Sequence, residues 1–114
     1  VMLASWVFDY DDLPAHDTSE LLKKLPAGAF IKASRVEVLE TATGLTDMDI
    51  ALVKASDGLN PEVLVANMTE TTGTHIAAGT LVGTKLTEDK VVDVQQTGAT
   101  AGKFRLVIEY TLEV

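Results

Sequence analysis

The chain has 114 residues, a length that leaves room for one hydrophobic core, so we expect residues 1–114 to form a single domain. A hydrophobic content of 46% with 23% charged residues is ordinary for a globular protein and argues against disorder. The formal net charge of −8 makes nucleic acid an unfavourable partner, because phosphate backbones are bound by Lys and Arg, and the nine basic residues of this chain are scattered.

Several other classes of protein are not expected. The chain has no Cys, which excludes a disulfide framework and a thiolate nucleophile. Its longest apolar runs, such as residues 63–66, are far shorter than the roughly 20 residues of a membrane-spanning helix, so we expect no membrane association. The first five residues lack a basic flank and do not have the pattern of a signal peptide.

The N-terminal segment alternates with a period of two, which is typical of a strand with one buried face. The residues on the apolar side are Met2, Ala4, Trp6, Phe8 and Tyr10. Asp11, Asp12 and Pro14 then interrupt the pattern, so we expect a strand followed by a loop.

The next segment carries two conflicting signals. Residues 17–20, Asp-Thr-Ser-Glu, have the spacing of a helix capping box. Pro26 and Gly28 follow so closely that only residues 21–25 could continue a helix, which is about one turn. We therefore favour an extended approach to the next strand, with a short helical turn as the alternative.

A turn and two further strands follow. Residues 25–29, Leu-Pro-Ala-Gly-Ala, favour a turn because Pro fixes φ and Gly accepts a positive φ, and we expect this turn to set the register of a strand at 30–39. Residues 41–46 are expected to form a loop and the alternating residues 48–53 a strand. A cluster of turn-forming residues occupies 56–61.

The segment that follows is less regular. Residues 62–68, directly after Pro61, fit either a short helix or a strand. Residues 76–82 have a weak strand pattern that a glycine interrupts, residues 86–90 are polar, and residues 91–96 form a short β-branched strand.

The clearest element is the C-terminal segment, residues 104–114. The apolar side carries Phe104, Leu106, Ile108, Tyr110, Leu112 and Val114. The charged residues on the other side are Lys103, Arg105, Glu109 and Glu113. A helix would spread the apolar residues around its whole circumference, so we expect a half-buried strand whose outward charges form a mixed-charge contact face.

Short strands separated by loops of Gly, Pro, Asp and Thr, without a run of helical period, indicate an all-β fold. We expect a single-domain antiparallel β-sandwich or a jelly-roll-like barrel, with short or no helices. No internal repeat or linker divides the chain.

The residues that could carry chemistry are scattered. His16 and His75 are too far apart for a local zinc motif, and without Cys only carboxylates could complete a ligand set. The aspartates among residues 9–12 and the oxygen-rich loop 57–60 make a calcium ion conceivable, but neither has the spacing of an EF-hand loop. No serine lies in a nucleophile elbow and no glycines form a phosphate-binding motif. The sequence therefore predicts no catalytic, cofactor-binding or metal-binding residues, no cofactor and no enzymatic activity.

Trp6, Phe8 and Tyr10 form one aromatic stripe. On the surface such a stripe could stack a sugar or a base, whereas same-face spacing along a strand favours packing in the core. We favour core packing and keep a carbohydrate-binding β-sandwich module as an alternative function.

Three stretches of sequence occur in a characteristic order. They are Phe-Asp-Tyr-Asp-Asp-Leu at 8–13, Leu-Lys-Lys-Leu-Pro-Ala-Gly-Ala-Phe-Ile at 22–31 and Val-Glu-Val at 36–38. Two further stretches follow them in the sequence, Met-Asp-Ile-Ala-Leu-Val at 48–53 and Ser-Asp-Gly at 56–58. This order resembles the small β-rich head proteins of tailed bacteriophages, in pattern more than in identity, over most of the chain.

The resemblance implies a structural virion protein on the capsid surface, assembled in the host cytoplasm. It implies a decoration or cement protein that binds the major capsid protein and stabilises the shell, as a homo-oligomer and often a homotrimer, and that needs no catalytic residue. A phage tail or fibre component is the alternative within this class. The chain departs from the resemblance at residues 41–46, Thr-Ala-Thr-Gly-Leu-Thr, where related proteins often carry an aromatic-containing loop.

Overall fold

The computed structural model describes residues 2–12, 20–56, 61–76 and 81–112. Within these ranges the chain forms eight β-strands and one short 3₁₀ turn at Tyr10–Asp12. The strands are β1 (Met2–Asp9), β2 (Glu20–Leu25), β3 (Ala29–Glu40), β4 (Asp47–Lys54), β5 (Glu62–Met68), β6 (Gly73–Ile76), β7 (Lys90–Thr97) and β8 (Lys103–Leu112).

The strands form two four-stranded sheets. Sheet A has the order β1-β8-β3-β6, and sheet B has the order β2-β7-β4-β5. Every pair of neighbouring strands is antiparallel. The inner faces of both sheets contribute to one hydrophobic core, so the all-β antiparallel β-sandwich expected from the sequence is confirmed.

The core follows the period-two pattern of the strands. Along β8, Phe104, Leu106 and Ile108 are fully buried, while Lys103, Arg105 and Glu109 on the other side are partly exposed. The ring of Phe104 stacks on that of Phe8 in the neighbouring β1, with 5.4 Å between the ring centroids. Burial of one face of each strand supplies the main favourable contribution to folding, at roughly 25 cal/mol per Å² of apolar surface.

Two ambiguous segments are strands. The extended interpretation of residues 20–25 is confirmed, because β2 pairs with β7; residues 17–19 of the expected capping box lie outside the described residues. Residues 62–68 are also a strand, paired with β4 through two register shifts. In both cases the neighbouring strand satisfies the backbone hydrogen bonds that a short helix would have to form by itself.

The strand expected at 76–82 does not extend to the last two residues of that segment. Strand β6 begins earlier, at Gly73, and ends at Ile76, while Leu81 and Val82 lie in a turn; residues 77–80 fall outside the described ranges. The turn is fastened to β3, since Gly83 N donates to the carbonyl of Ile31 over 2.7 Å. Leu81 is buried in the core, so its side chain packs inward although its backbone is not part of a strand.

Strand β1 ends at Asp9, one residue before the alternating sequence pattern ends at Tyr10. Tyr10 lies in the 3₁₀ turn, and its N–H donates to the carbonyl of Gly102 over 3.0 Å, which continues the β1–β8 register by one residue. This hydrogen bond fixes the end of β1 to the loop that precedes β8.

Candidate interaction surfaces

The candidates for chemistry that lie within the described ranges do not form a metal-binding cluster. His75 lies on β6, where its Nδ1 is hydrogen-bonded to the carboxylate of Glu70; His16 and the loop 57–60 are outside the described ranges. In the part of the chain that the structure describes, no group of three or more His, Asp and Glu side chains is placed to hold a metal ion. Within the same ranges no helix has the length and apolar character needed to cross a bilayer.

The aromatic stripe belongs to the core. Trp6 retains 9% of its accessible surface and Phe8 retains 3%, so core packing of these two residues is confirmed. A sugar needs an exposed ring face for stacking. Trp6 and Phe8 offer no such face, so the aromatic stripe does not support a carbohydrate-binding module.

The outer face of sheet A carries a network of charged residues. Glu37 on β3 accepts a hydrogen bond from Arg35 Nε over 3.0 Å and another from Arg105 Nη1 on β8 over 3.1 Å. The hydrogen bond from Arg35, followed by that from Arg105, holds the pKa of the Glu37 carboxyl below its usual value. Burial raises this pKa, but its effect is smaller. Arg105, one of the outward charges expected on β8, thus takes part in an ion network that joins two strands.

Apolar side chains surround this network. Leu3 and Val7 on β1 and Ile76 on β6 are among the most exposed apolar residues, at 63%, 54% and 67%. Val107, which lies between Ser5 and Arg35 in the strand register, is nevertheless buried. We call this surface, which comprises Leu3, Val7, Arg35, Glu37, Ile76 and Arg105, the A face. The apolar groups lie at both edges of sheet A and flank the charges, so this face offers apolar and polar contacts to a partner protein.

The outer face of sheet B has a different character. Two carboxylates, Asp49 and Asp93, line a shallow depression of about 250 Å³ together with Gln95, Ala51 and Val53. Asp49 has a structural role there, since it accepts the backbone N–H of Asn67 over 2.9 Å. Asn67 has a φ of 54°, a conformation that this carboxylate helps to hold in a bulged part of β5.

A second depression, of about 360 Å³, lies beside the turn between β2 and β3. Four charged residues line it, and one of them, Asp89, accepts the N–H of Ala27 over 2.9 Å and pairs with Lys24 over 3.2 Å. The bond from Ala27, followed by that from Lys24, keeps the pKa of Asp89 below its usual value. These contacts fasten the turn at 25–29, so the aspartate stabilises the fold.

The loop 41–46 is held by the rest of the molecule. Thr100 N donates to the carbonyl of Thr43 over 2.8 Å, and Thr46 N donates to that of Thr97 over 3.0 Å. Gly44 and Gly98 bring the two loops into backbone contact, since a Cβ on either would lie within 2.7 Å of a carbonyl oxygen of the other. This loop therefore supports the end of the sandwich.

Sequence reasoning missed Lys90. It belongs to the polar segment 86–90, but its side chain is only 3% exposed and pairs with Glu62 over 3.0 Å and Glu88 over 3.2 Å. A signal was present, because Lys90 has the same strand parity as the inward-facing Val92 and Val94. The flanking carboxylates are what allow a lysine to occupy that position.

The complete fold can be compared with solved structures. A chain from the capsid of Ralstonia phage GP4 has a TM-score of 0.67 and 20% identity, with 99% of this chain and 86% of that chain covered. For a chain of the cyanophage Pam1 capsid asymmetric unit, the TM-score is 0.65 at 15% identity, over 98% and 84%. For a chain of the acid-stable capsid of Helicobacter pylori bacteriophage KHP30, it is 0.65 at 19% identity, over 97% and 86%.

Sequence comparison adds no family to this result. No protein-family model matches the chain, and no curated protein matches it in sequence. At identities of 20% and below, the similarity to the three capsid chains shows a common fold. The chain therefore shares its β-sandwich fold with proteins of phage capsids, and the resemblance inferred from the sequence is confirmed at the level of the fold.

Proposed function

We propose that this protein is a structural component of a phage virion. In this proposal it is a decoration or cement protein that binds the major capsid protein on the capsid surface and stabilises the shell, after assembly in the host cytoplasm. The observation that carries the proposal is the similarity in fold to chains of three phage capsids, which extends over 97–99% of this chain.

The surface of the molecule supports the same role. The A face combines exposed apolar residues with an ion network in which Glu37 joins β3 to β8. A preorganised surface of this kind loses little side-chain entropy on binding. We propose the A face as the contact with the capsid shell. Among the described side chains, no group is placed to hold a catalytic metal ion, so no observation favours an enzyme instead.

Oligomeric state is part of the proposal. The sequence resemblance implies a homo-oligomer, with a trimer as the expected form, and closed symmetry is a common way to protect the edges of β-sheets. Native mass spectrometry of the purified protein tests this. A mass of one chain at every concentration would contradict it.

Binding to capsids is the direct test. Shells are assembled from the major capsid protein of the same virus without this chain, and the purified protein is added and sedimented with them. We expect saturable binding and a higher temperature of shell disruption. Ile76→Glu, on the A face, should weaken binding, whereas the control Val63→Glu, on the outer side of sheet B, should not. Failure to bind shells, or immunogold label on tails or fibres of virions, would overturn the proposal.

A further inference from the structure

The four edge strands of the sandwich are not equivalent. In the described parts of the chain, β6 has only four residues, and both β2 and β5 contain register shifts in their pairing. Strand β1, at the edge of sheet A, pairs with β8 over all eight of its residues without a shift. A long and regular edge presents a row of backbone N–H and C=O groups to which another strand can bind.

Strand β1 also lacks the side chains that commonly block such pairing. It contains no Pro and no Lys or Arg, and Asp9 at its end is its one charged residue. Its outward positions carry Leu3 and Val7, at 63% and 54% exposure, on either side of Ser5. In proteins that remain monomeric, the edge strands of sheets usually carry charges, prolines or bulges. This edge is therefore suited to association.

The sequence of β1 is complementary to itself in an antiparallel arrangement centred on Ser5. In that register Leu3 faces the partner subunit's Val7, and Ala4 faces the partner subunit's Trp6. Ser5 faces the partner subunit's Ser5. Asp9 lies opposite no other charge of β1. Each exposed apolar side chain on the outer side thus covers another.

We propose that a second copy of this chain binds at β1. The two β1 strands pair edge to edge and antiparallel about a two-fold axis at Ser5, which joins two copies of sheet A into one sheet of eight strands. A second copy is favoured because the apolar positions match under two-fold symmetry, as an isologous interface requires.

The local charge near β1 permits this association despite the net charge of −8. Asp9 pairs with Lys103 over 3.9 Å, and β8 adds Arg105 and Glu109 next to β1. Two acidic and two basic residues therefore balance along this edge. Repulsion between two copies comes from more distant charges. At 0.1 M salt the interaction between charges more than about 10 Å apart is largely screened.

This contact does not depend on the proposed function. Leu3 and Val7 also belong to the A face, but the shell-binding test substitutes Ile76 on β6, so the two tests report on different contacts. The proposed pairing predicts assemblies with an even number of chains. The β1 contact alone gives two copies, and its combination with the proposed trimer gives six.

The test measures mass and dissociation for the wild type and two double variants. Leu3→Lys with Val7→Lys and Leu3→Glu with Val7→Glu each place like charges opposite one another across the two-fold axis, twice per interface. We expect either variant alone to weaken the association by about tenfold or more. An equimolar mixture should restore it, because opposite charges then face each other. Val63→Lys, exposed on the edge strand β5, is the control that should change nothing.

A wild type that is a monomer or a trimer would overturn the proposal. So would double variants that associate as the wild type does, or a mixture that fails to restore association. Should a variant not fold, amide hydrogen exchange of the wild type decides the question. Exchange within β1 is expected to slow as protein concentration rises, and exchange independent of concentration would contradict the contact.

Discussion

Ser34 is an uncompensated polar residue in the core. It lies on β3 opposite Ile108 with 4% exposure, and its Oγ has no hydrogen-bond partner among the residues that the structure describes. A buried hydroxyl without a partner costs about 1–3 kcal/mol.

We therefore expect Ser34→Ala to raise the free energy of unfolding by about 1 kcal/mol, as measured by urea denaturation. Ser56→Ala, at an exposed position after β4, should leave stability nearly unchanged. A less stable Ser34→Ala variant would mean that the hydroxyl is hydrogen-bonded in solution.

Lys90 is the opposite case, a buried charge with partners. Burial lowers the pKa of Lys90, but the hydrogen bonds with Glu62 and Glu88 outweigh it and raise the pKa above 10.5. A raised pKa means that the protonated lysine stabilises the folded state. This contribution is complete below about pH 10 and is lost as pH rises through the folded-state pKa.

Replacement of Lys90 by Met should leave two carboxylates without their counter-charge. We expect Lys90→Met to lower the free energy of unfolding near neutral pH by about 1–3 kcal/mol, since the carboxylates remain partly hydrated. Lys24→Met is the matched control, because the pair between Lys24 and Asp89 is exposed, and its effect should be much smaller. Equal effects of the two substitutions would contradict the role of Lys90.

Glu70 links stability to pH on the acidic side. Burial raises the pKa of Glu70, but the hydrogen bond from His75 and further hydrogen bonds lower it more, so the net pKa lies below 4.5. The ionised carboxylate therefore stabilises the folded state above about pH 4.5, and this contribution is lost as pH falls through the lower folded-state pKa.

We expect Glu70→Gln to lower the melting temperature in weakly acidic buffer and to match the wild type once the pH is well below 4.5. Thermal denaturation over a pH series measures this difference. Glu40→Gln, at the exposed end of β3, serves as the control. A difference between wild type and Glu70→Gln that persists at low pH would show that the lost contact is not one of charge.

At the scale of elements, paired loops hold one end of the sandwich together. Gly44 and Gly98 have φ values of 79° and 88°, and the two loops approach so closely that a Cβ on Gly98 would lie 2.5 Å from the Gly44 carbonyl oxygen. Gly83 has a similar φ of 89° but open space around it. A comparison of substitutions at Gly98 and Gly83 therefore distinguishes the effect of steric crowding from that of backbone strain.

Gly83→Ala should cost about 1 kcal/mol, because alanine is strained at positive φ. Gly98→Ala should cost at least about 1 kcal/mol more, since the two loops must also move apart. Chemical denaturation of both variants measures the difference. Equal losses would mean that the contact between the loops is not tight in solution.

Pairing between elements also decided what local sequence left open. Residues 62–68 were compatible with a helix or a strand, and their pairing with β4 makes them a strand. The weak pattern at 76–82 was wrong at residues 81 and 82, because Leu81 is buried in the core as a strand residue would be, although it lies in a turn. Both outcomes depend on contacts between distant parts of the chain, which a local pattern does not contain.

At the scale of the whole molecule, the 17 acidic and nine basic residues set how the protein meets a partner. Docking on a capsid requires a basic complementary surface, since like charges would oppose it. We expect shell binding to weaken by about tenfold or more between low and high salt, measured by sedimentation. Self-association through β1, where local charges balance, should weaken far less. Binding to shells that is independent of salt would contradict this electrostatic interpretation.

The sequence by itself determined the all-β class, the strands at both ends and the inward direction of their side chains. These properties are local, because successive side chains of a strand point to opposite faces whatever its neighbours are. The tertiary structure decided which strands are neighbours, that Lys90 is buried between carboxylates and that β1 is the long regular edge. Those properties arise when distant segments pair, since the identity of a neighbouring strand determines which backbone groups and side chains remain exposed.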